Sequence, residues 1–182
     1  LPHCRTAAEI RAAEWRKRRS GSHLTAAGIA ACSRLTRLTT GDPMPDPFDL
    51  QRFVDAQDGV YRRVVAELSA GRKQSHWMWF IFPQIAGLGF SAMAQRYAIS
   101  SRKEAAAYLA HDVLGPRLIE CTRLVLAVEG KTIRTILGSP DDLKFHSSMT
   151  LFSAASDDPI FDEAIAKYYA GAKDQATLDL LG

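Results

Sequence analysis

From residue 50 onward apolar side chains recur at three- and four-residue steps, as Leu50, Phe53, Val54, Tyr61, Val64, Val65 and Leu68, and the run ends at Gly71. This spacing puts them on one face and predicts an amphipathic helix from a cap at Asp49 to a stop at Gly71. A second stripe, Val113, Leu114, Leu118, Cys121, Leu124, Val125 and Val128, predicts another helix, with Pro116 tolerated at an early position. Between the two, Ser101 and Glu104 have capping-box spacing and residues 105–110 are good helix formers. A short helix is expected over residues 132–137, ended by Gly138. Ser139, Pro140, Asp141 and Asp142 then supply a cap, a proline at N1 and two acids at the positive end of a helix carrying residues 143–155. Asp158-Pro159 opens one more, with Phe161, Ile165, Tyr168 and Tyr169 inward and Gly171 past its end, and residues 174–181 form a last short helix.

No period-two alternation persists and no Asn-Gly type of hairpin signal joins two β-like runs, so the expected fold class is all-α, a single compact multi-helix domain. One segment is ambiguous. Residues 77–82, Trp-Met-Trp-Phe-Ile-Phe, fit a buried strand or a buried helix equally well by periodicity. Ser75 as an N-cap, Pro83 as a terminator and the want of a partner strand favour helix.

Composition changes at residue 43. The first 43 residues are rich in Ala, Arg, Ser and Thr, hold eight basic against three acidic residues, and end in the breaker cluster Gly41-Asp42-Pro43. The whole chain has a net charge of +3, so the part from Met44 onward is net acidic and the basic balance belongs to the extension. Nucleic acid is therefore not an expected partner; the cluster Arg16-Lys17-Arg18-Arg19 is its one argument. Residues 1–43 are expected to be a disordered or loosely attached extension, either an overextended gene start before Met44 or a natural basic arm. Within it, residues 7–17 can form a short helix whose apolar face is mostly alanine. Cys121 stands alone after Met44, which suits a reduced, cytoplasmic protein, and no apolar stretch is long enough to span a membrane.

The chemistry-bearing candidates lie in two segments. In residues 75–84, His76 and Gln84 bracket four aromatics; Trp77 and Trp79 would stack a ring, Gln84 would orient a ligand, and His76 is the candidate catalytic acid or base. The competing reading makes the aromatics core and His76 a structural histidine. In residues 144–152, helical spacing groups Phe145, Met149 and Phe152 on one face and Lys144, Ser147 and Ser148 on another. A cation beside two hydroxyls suits an anionic or sugar-like ligand; the plainer alternative is serines bonding back within the helix and a lysine reaching solvent. Gly87-Leu88-Gly89 before Phe90-Ser91 resembles a dinucleotide-binding turn, but it lacks the preceding strand, so a loop between helices is expected. His76, His111 and His146 are evenly spaced yet share no neighbouring pattern or zinc-ligand spacing, and neither metal nor other cofactor is expected.

Asp46-Pro47-Phe48 leading into Leu50-Gln51-Arg52-Phe53-Val54, then Ala56-Gln57, Lys73 with residues 75–84, Gly87-Leu88-Gly89 and residues 144–152 together resemble the bacterial family called domain of unknown function 1810, sometimes labelled calpastatin-like. The resemblance covers residues 44–182, with Asp112 standing where proline is expected after His111. It implies an all-helical single domain in a bacterial cytoplasm and implies no activity. Calpain inhibition belongs to disordered repeats, so no inhibitor residues are carried over. The functional expectation is a helical domain that binds a small anionic, nucleotide-like metabolite in a pocket built from the two segments, with hydrolysis as a further capability. The alternative is a non-catalytic protein interaction module.

Overall fold

The computed structural model describes residues 46–182, which fall within one unit, Met44–Gly182. The expectations for residues 1–43, including the helix over 7–17, lie outside the described residues.

The first predicted helix is two. α1 (Gln51–Asp58) and α2 (Tyr61–Ser69) are separated at Gly59-Val60, where Val60 leaves helical backbone at φ −124°. Glycine lacks the helix propensity that would carry the chain straight through. Asp49 is not the cap: it sits at φ +50°, while Asp46 accepts from Phe48 N at 3.2 Å and Gln51 N at 3.1 Å. A carboxylate set further back reaches the free donors of the first turn once the backbone bends at Asp49. Gly71 ends α2 as expected, at φ +59°.

The ambiguous aromatic run is helical, but only as the single turn α3 (Met78–Ile81). Ser75 does not cap it, because its hydroxyl donates instead to Glu67 Oε1 at 2.6 Å. Next come α4 (Ala92–Arg96), capped by Ser91, and α5 (Arg102–Ala110), capped by Ser101 Oγ accepting from Glu104 N. Half of the predicted capping box is absent. The Glu104 carboxylate accepts from Ser100 N and Oγ and pairs with Arg52 at 2.7 Å, a tertiary partner that local spacing does not reveal. α6 (Leu114–Ala127) carries Pro116 in its first turn, and Thr132 caps α7 (Ile133–Leu137). α8 (Asp141–Ala155) starts without a side-chain cap from Ser139. Asp158 caps α9 (Pro159–Tyr169) and Asp174 caps α10 (Gln175–Leu181).

No strand occurs among the described residues; Ile85 and Ile99 form one isolated parallel bridge that ties the loop after α3 to the segment before α5. The helical expectation therefore holds. α8 lies at the centre, packed against α5, α7, α9 and α10, while α6 packs against α2, α3, α5 and α9. A helix enclosed on most sides needs apolar or internally satisfied residues around its whole circumference, and α8 buries Phe145 together with every residue from Ser147 to Phe152. Phe82 meets Phe145 edge-on at 4.9 Å between ring centroids, so the aromatic segment docks directly on α8. No described helix is long and apolar enough to cross a membrane.

Candidate functional site

The contact between Phe82 and Phe145 sets the two sequence segments side by side, and a groove of about 410 Å³ opens along their junction. Trp79 and Gln84 line it from one side, Lys144 and Ser147 from the other. Lys144 Nζ lies 4.7 Å from the centroid of the Trp79 ring, within reach of the negative π face. Four of the seven expected site residues thus share one hollow.

The other three lie elsewhere. His76 is exposed and does not line this groove. Trp77 is buried, and its indole N–H donates to Glu67 Oε2 at 2.8 Å. Ser148 is fully enclosed and its hydroxyl has no hydrogen-bond partner among the described residues. Helical spacing placed Ser148 beside Lys144, yet the packing of neighbouring helices decides which members of a face reach solvent.

The electrostatics depend on a residue first read only as a helix-end acid. Asp141 accepts from Lys144 and from Lys73, each at 2.7 Å. Burial raises its carboxyl pKa, but the hydrogen bonds from Lys144 and Lys73 outweigh this and hold it below the ordinary range. Two ammonium groups share the Asp141 carboxylate at the N-terminal end of α8, where Asp142 adds a second carboxylate and the helix dipole presents its positive end. Lys73 in turn lies 5.1 Å from the Trp77 ring. Each lysine therefore pairs one tryptophan with the shared acid. The i,i+3 spacing of Asp141 and Lys144 was a legible signal for this pair; the approach of Lys73 was not.

Opposite Lys144, Asp174 also lines the groove. One of its oxygens is occupied: Oδ2 accepts from Ser147 Oγ at 2.8 Å and from Thr177 N and Oγ at 3.2 and 2.5 Å, while Oδ1 has no hydrogen bond from a described residue. Ser147 further approaches Leu143 O at 3.2 Å, the back-bonding geometry of a serine inside a helix. Ser147 thus lends the groove an acceptor oxygen more readily than a proton. Gln84 makes no side-chain hydrogen bond to another described residue, which leaves its carboxamide open to the groove. The rim is apolar: Phe90, 86% exposed, and Leu143, 62% exposed, both line it. The loop from Gly87 to Ser91 passes into the five-residue α4 without a preceding strand, so it is a connection and part of the groove wall.

The three evenly spaced histidines have separate settings. His111 Nδ1 accepts from Val113 N at 3.1 Å, while His146 stacks on Tyr169 at 3.9 Å and meets Ala172 O at 2.6 Å. No group of three or more His, Cys, Asp or Glu side chains suited to a metal occurs among the described residues.

A family model described as Protein of unknown function (DUF1810) matches residues 47–181. The crystal structure of a conserved hypothetical protein from Mycobacterium tuberculosis is 61% identical to this chain, with a TM-score of 0.74, and the match covers 75% of this chain and 98% of that one. Among curated proteins none matches. A model match across most of the chain, joined to a solved relative of this identity, shows that the chain belongs to the DUF1810 family.

Proposed function

We propose that the domain binds a small anionic, nucleotide-like metabolite in the groove between the aromatic segment and α8. The observation that carries this reading is the Lys144 ammonium held over Trp79 beside the open carboxamide of Gln84. The groove volume of about 410 Å³ suits a metabolite-sized ligand, for which pockets of roughly 300–1,000 Å³ are usual. Lys144 keeps donors beyond the one directed at Asp141, and the N-terminal end of α8 adds the positive end of a helix dipole beside it. Binding rather than hydrolysis is the reading, since His76, the candidate acid or base, lies outside the groove lining.

The test is a thermal-shift screen of the full chain against nucleoside monophosphates and sugar phosphates. A ligand at 100 times its Kd stabilises by about 2.7 kcal/mol. That stabilisation is expected in the parent protein and lost in Lys144→Ala. A screen in which no anion raises the melting temperature would sink the proposal.

A second reading, a protein interaction module, draws on the exposed Phe90 and Leu143 at the same rim. Neighbouring exposed aromatic and aliphatic side chains are what a partner surface presents.

A further inference from the structure

Beside the groove lies a second, more enclosed hollow of about 190 Å³, and the two share Trp79, Gln84, Gly89 and Ala94 in their linings. Tyr97 and Gln95 line only the second. Its polar groups stand out against the rest of the molecule. Of the five tyrosines, the hydroxyls of Tyr61, Tyr108, Tyr168 and Tyr169 each donate to a carboxylate or carbonyl oxygen, at 2.7, 3.2, 2.6 and 2.6 Å. Tyr97 is the exception: it is 7% exposed, its ring is packed edge-on against Phe80 at 5.4 Å, and its hydroxyl makes no hydrogen bond to any described residue. Similarly, the indole N–H of Trp77 is engaged by Glu67, whereas that of Trp79 has no described partner. The carboxamides of Gln84 and Gln95 are likewise unengaged.

None of these polar atoms is shut off from solvent, and Gln95 is exposed, so each is open to a ligand entering the hollow. Here several converge on one hollow: a phenol, an indole N–H and two carboxamides, each carboxamide offering donor and acceptor side by side. Trp79 and Tyr97 give the lining an aromatic part that suits a flat ring, and 190 Å³ is below the size of a whole-metabolite site. We infer that this hollow is a second subsite, which takes an uncharged heteroaromatic ring with neighbouring donor and acceptor edge atoms while the groove holds the anionic end of the same ligand. The inference rests on the groove reading and extends it: the ligand class becomes a nucleobase-like ring joined to a phosphate or similar anion.

Isothermal titration of the full chain with AMP, GMP, CMP, UMP and ribose 5-phosphate, in the parent, Tyr97→Phe and Gln95→Ala proteins, tests it. Ribose 5-phosphate carries the anion without the ring. At least one nucleotide is expected to bind about tenfold tighter than ribose 5-phosphate, with the advantage reduced severalfold in Tyr97→Phe, as loss of one well-made hydrogen bond implies. Neither variant is expected to change ribose 5-phosphate binding. The melting temperature of Tyr97→Phe should not fall, because the hydroxyl has no protein partner to lose; a fall would mark it as structural and overturn the assignment. Nucleotides binding no tighter than ribose 5-phosphate, or an advantage untouched by either variant, would overturn the second subsite and leave the groove standing. If neither ribose 5-phosphate nor any nucleotide bound, both readings would fall together.

Discussion

Glu67 holds the aromatic segment in place. Its carboxylate accepts from Gln74 N, Ser75 N, Ser75 Oγ and Trp77 Nε1 at 2.6–3.1 Å, so one side chain of α2 fixes four donors of the chain that leads into α3. Burial pushes its pKa upward, but the hydrogen bonds from Ser75, Gln74 and Trp77 prevail and lower it to about 2 from 4.5. A carboxyl depressed in the folded state contributes stability above its unfolded pKa and loses it as pH falls toward the folded value. Glu67→Gln is therefore expected to cost on the order of 3 kcal/mol at pH 7, with the gap to the parent closing between about pH 4.5 and pH 2. Urea denaturation of both proteins across that range measures it, and a pH-independent gap would show that the charge contributes nothing.

Between elements, the closest approach at a glycine is where α5 hands over to α6. A Cβ built on Gly115 would lie 2.0 Å from the backbone oxygen of Leu109, and a main-chain atom inside a packed turn has little room to retreat. Gly115→Ala should destabilise the domain by about 3 kcal/mol, read as a fall in the denaturation midpoint. A loss below about 0.5 kcal/mol would mean that the two helices separate freely there. The same handover explains why Asp112 is accommodated: its neighbour His111 supplies the local cap through Nδ1, leaving the next position exposed.

Among the described residues, three of the four large exposed apolar side chains lie at or near the candidate site. Phe90 and Leu143 line the groove, and Leu180 on α10 lies within reach of Gly87. Because they contribute little to the core, the double variant Phe90→Ser, Leu143→Ser is expected to change stability by no more than about 1 kcal/mol. Its sedimentation coefficient at high concentration compared with the parent then reads out the interaction-module proposal. A fall would favour association through this face, and identical values would count against self-association.

Much of this was legible along the chain. Helical periodicity, the Asp158 cap and the glycine stops are local signals, since backbone donors at a helix end are satisfied by side chains two or three residues away. The meeting of Trp79 and Gln84 with Lys144 and Ser147 was foreseeable as residue types but not as geometry. Ser148 and Trp77 show the difference: each carries suitable chemistry, and each is enclosed by helices distant in sequence. Lys73, Asp174 and Tyr97 went unrecognised for the converse reason, because their roles arise only when α8, α10 and the loop beyond α3 converge. Local hydrogen bonding and side-chain period are encoded within a few residues and set the helices; which polar groups remain buried, shared or open depends on contacts between segments tens of residues apart, and those exist only in the folded chain.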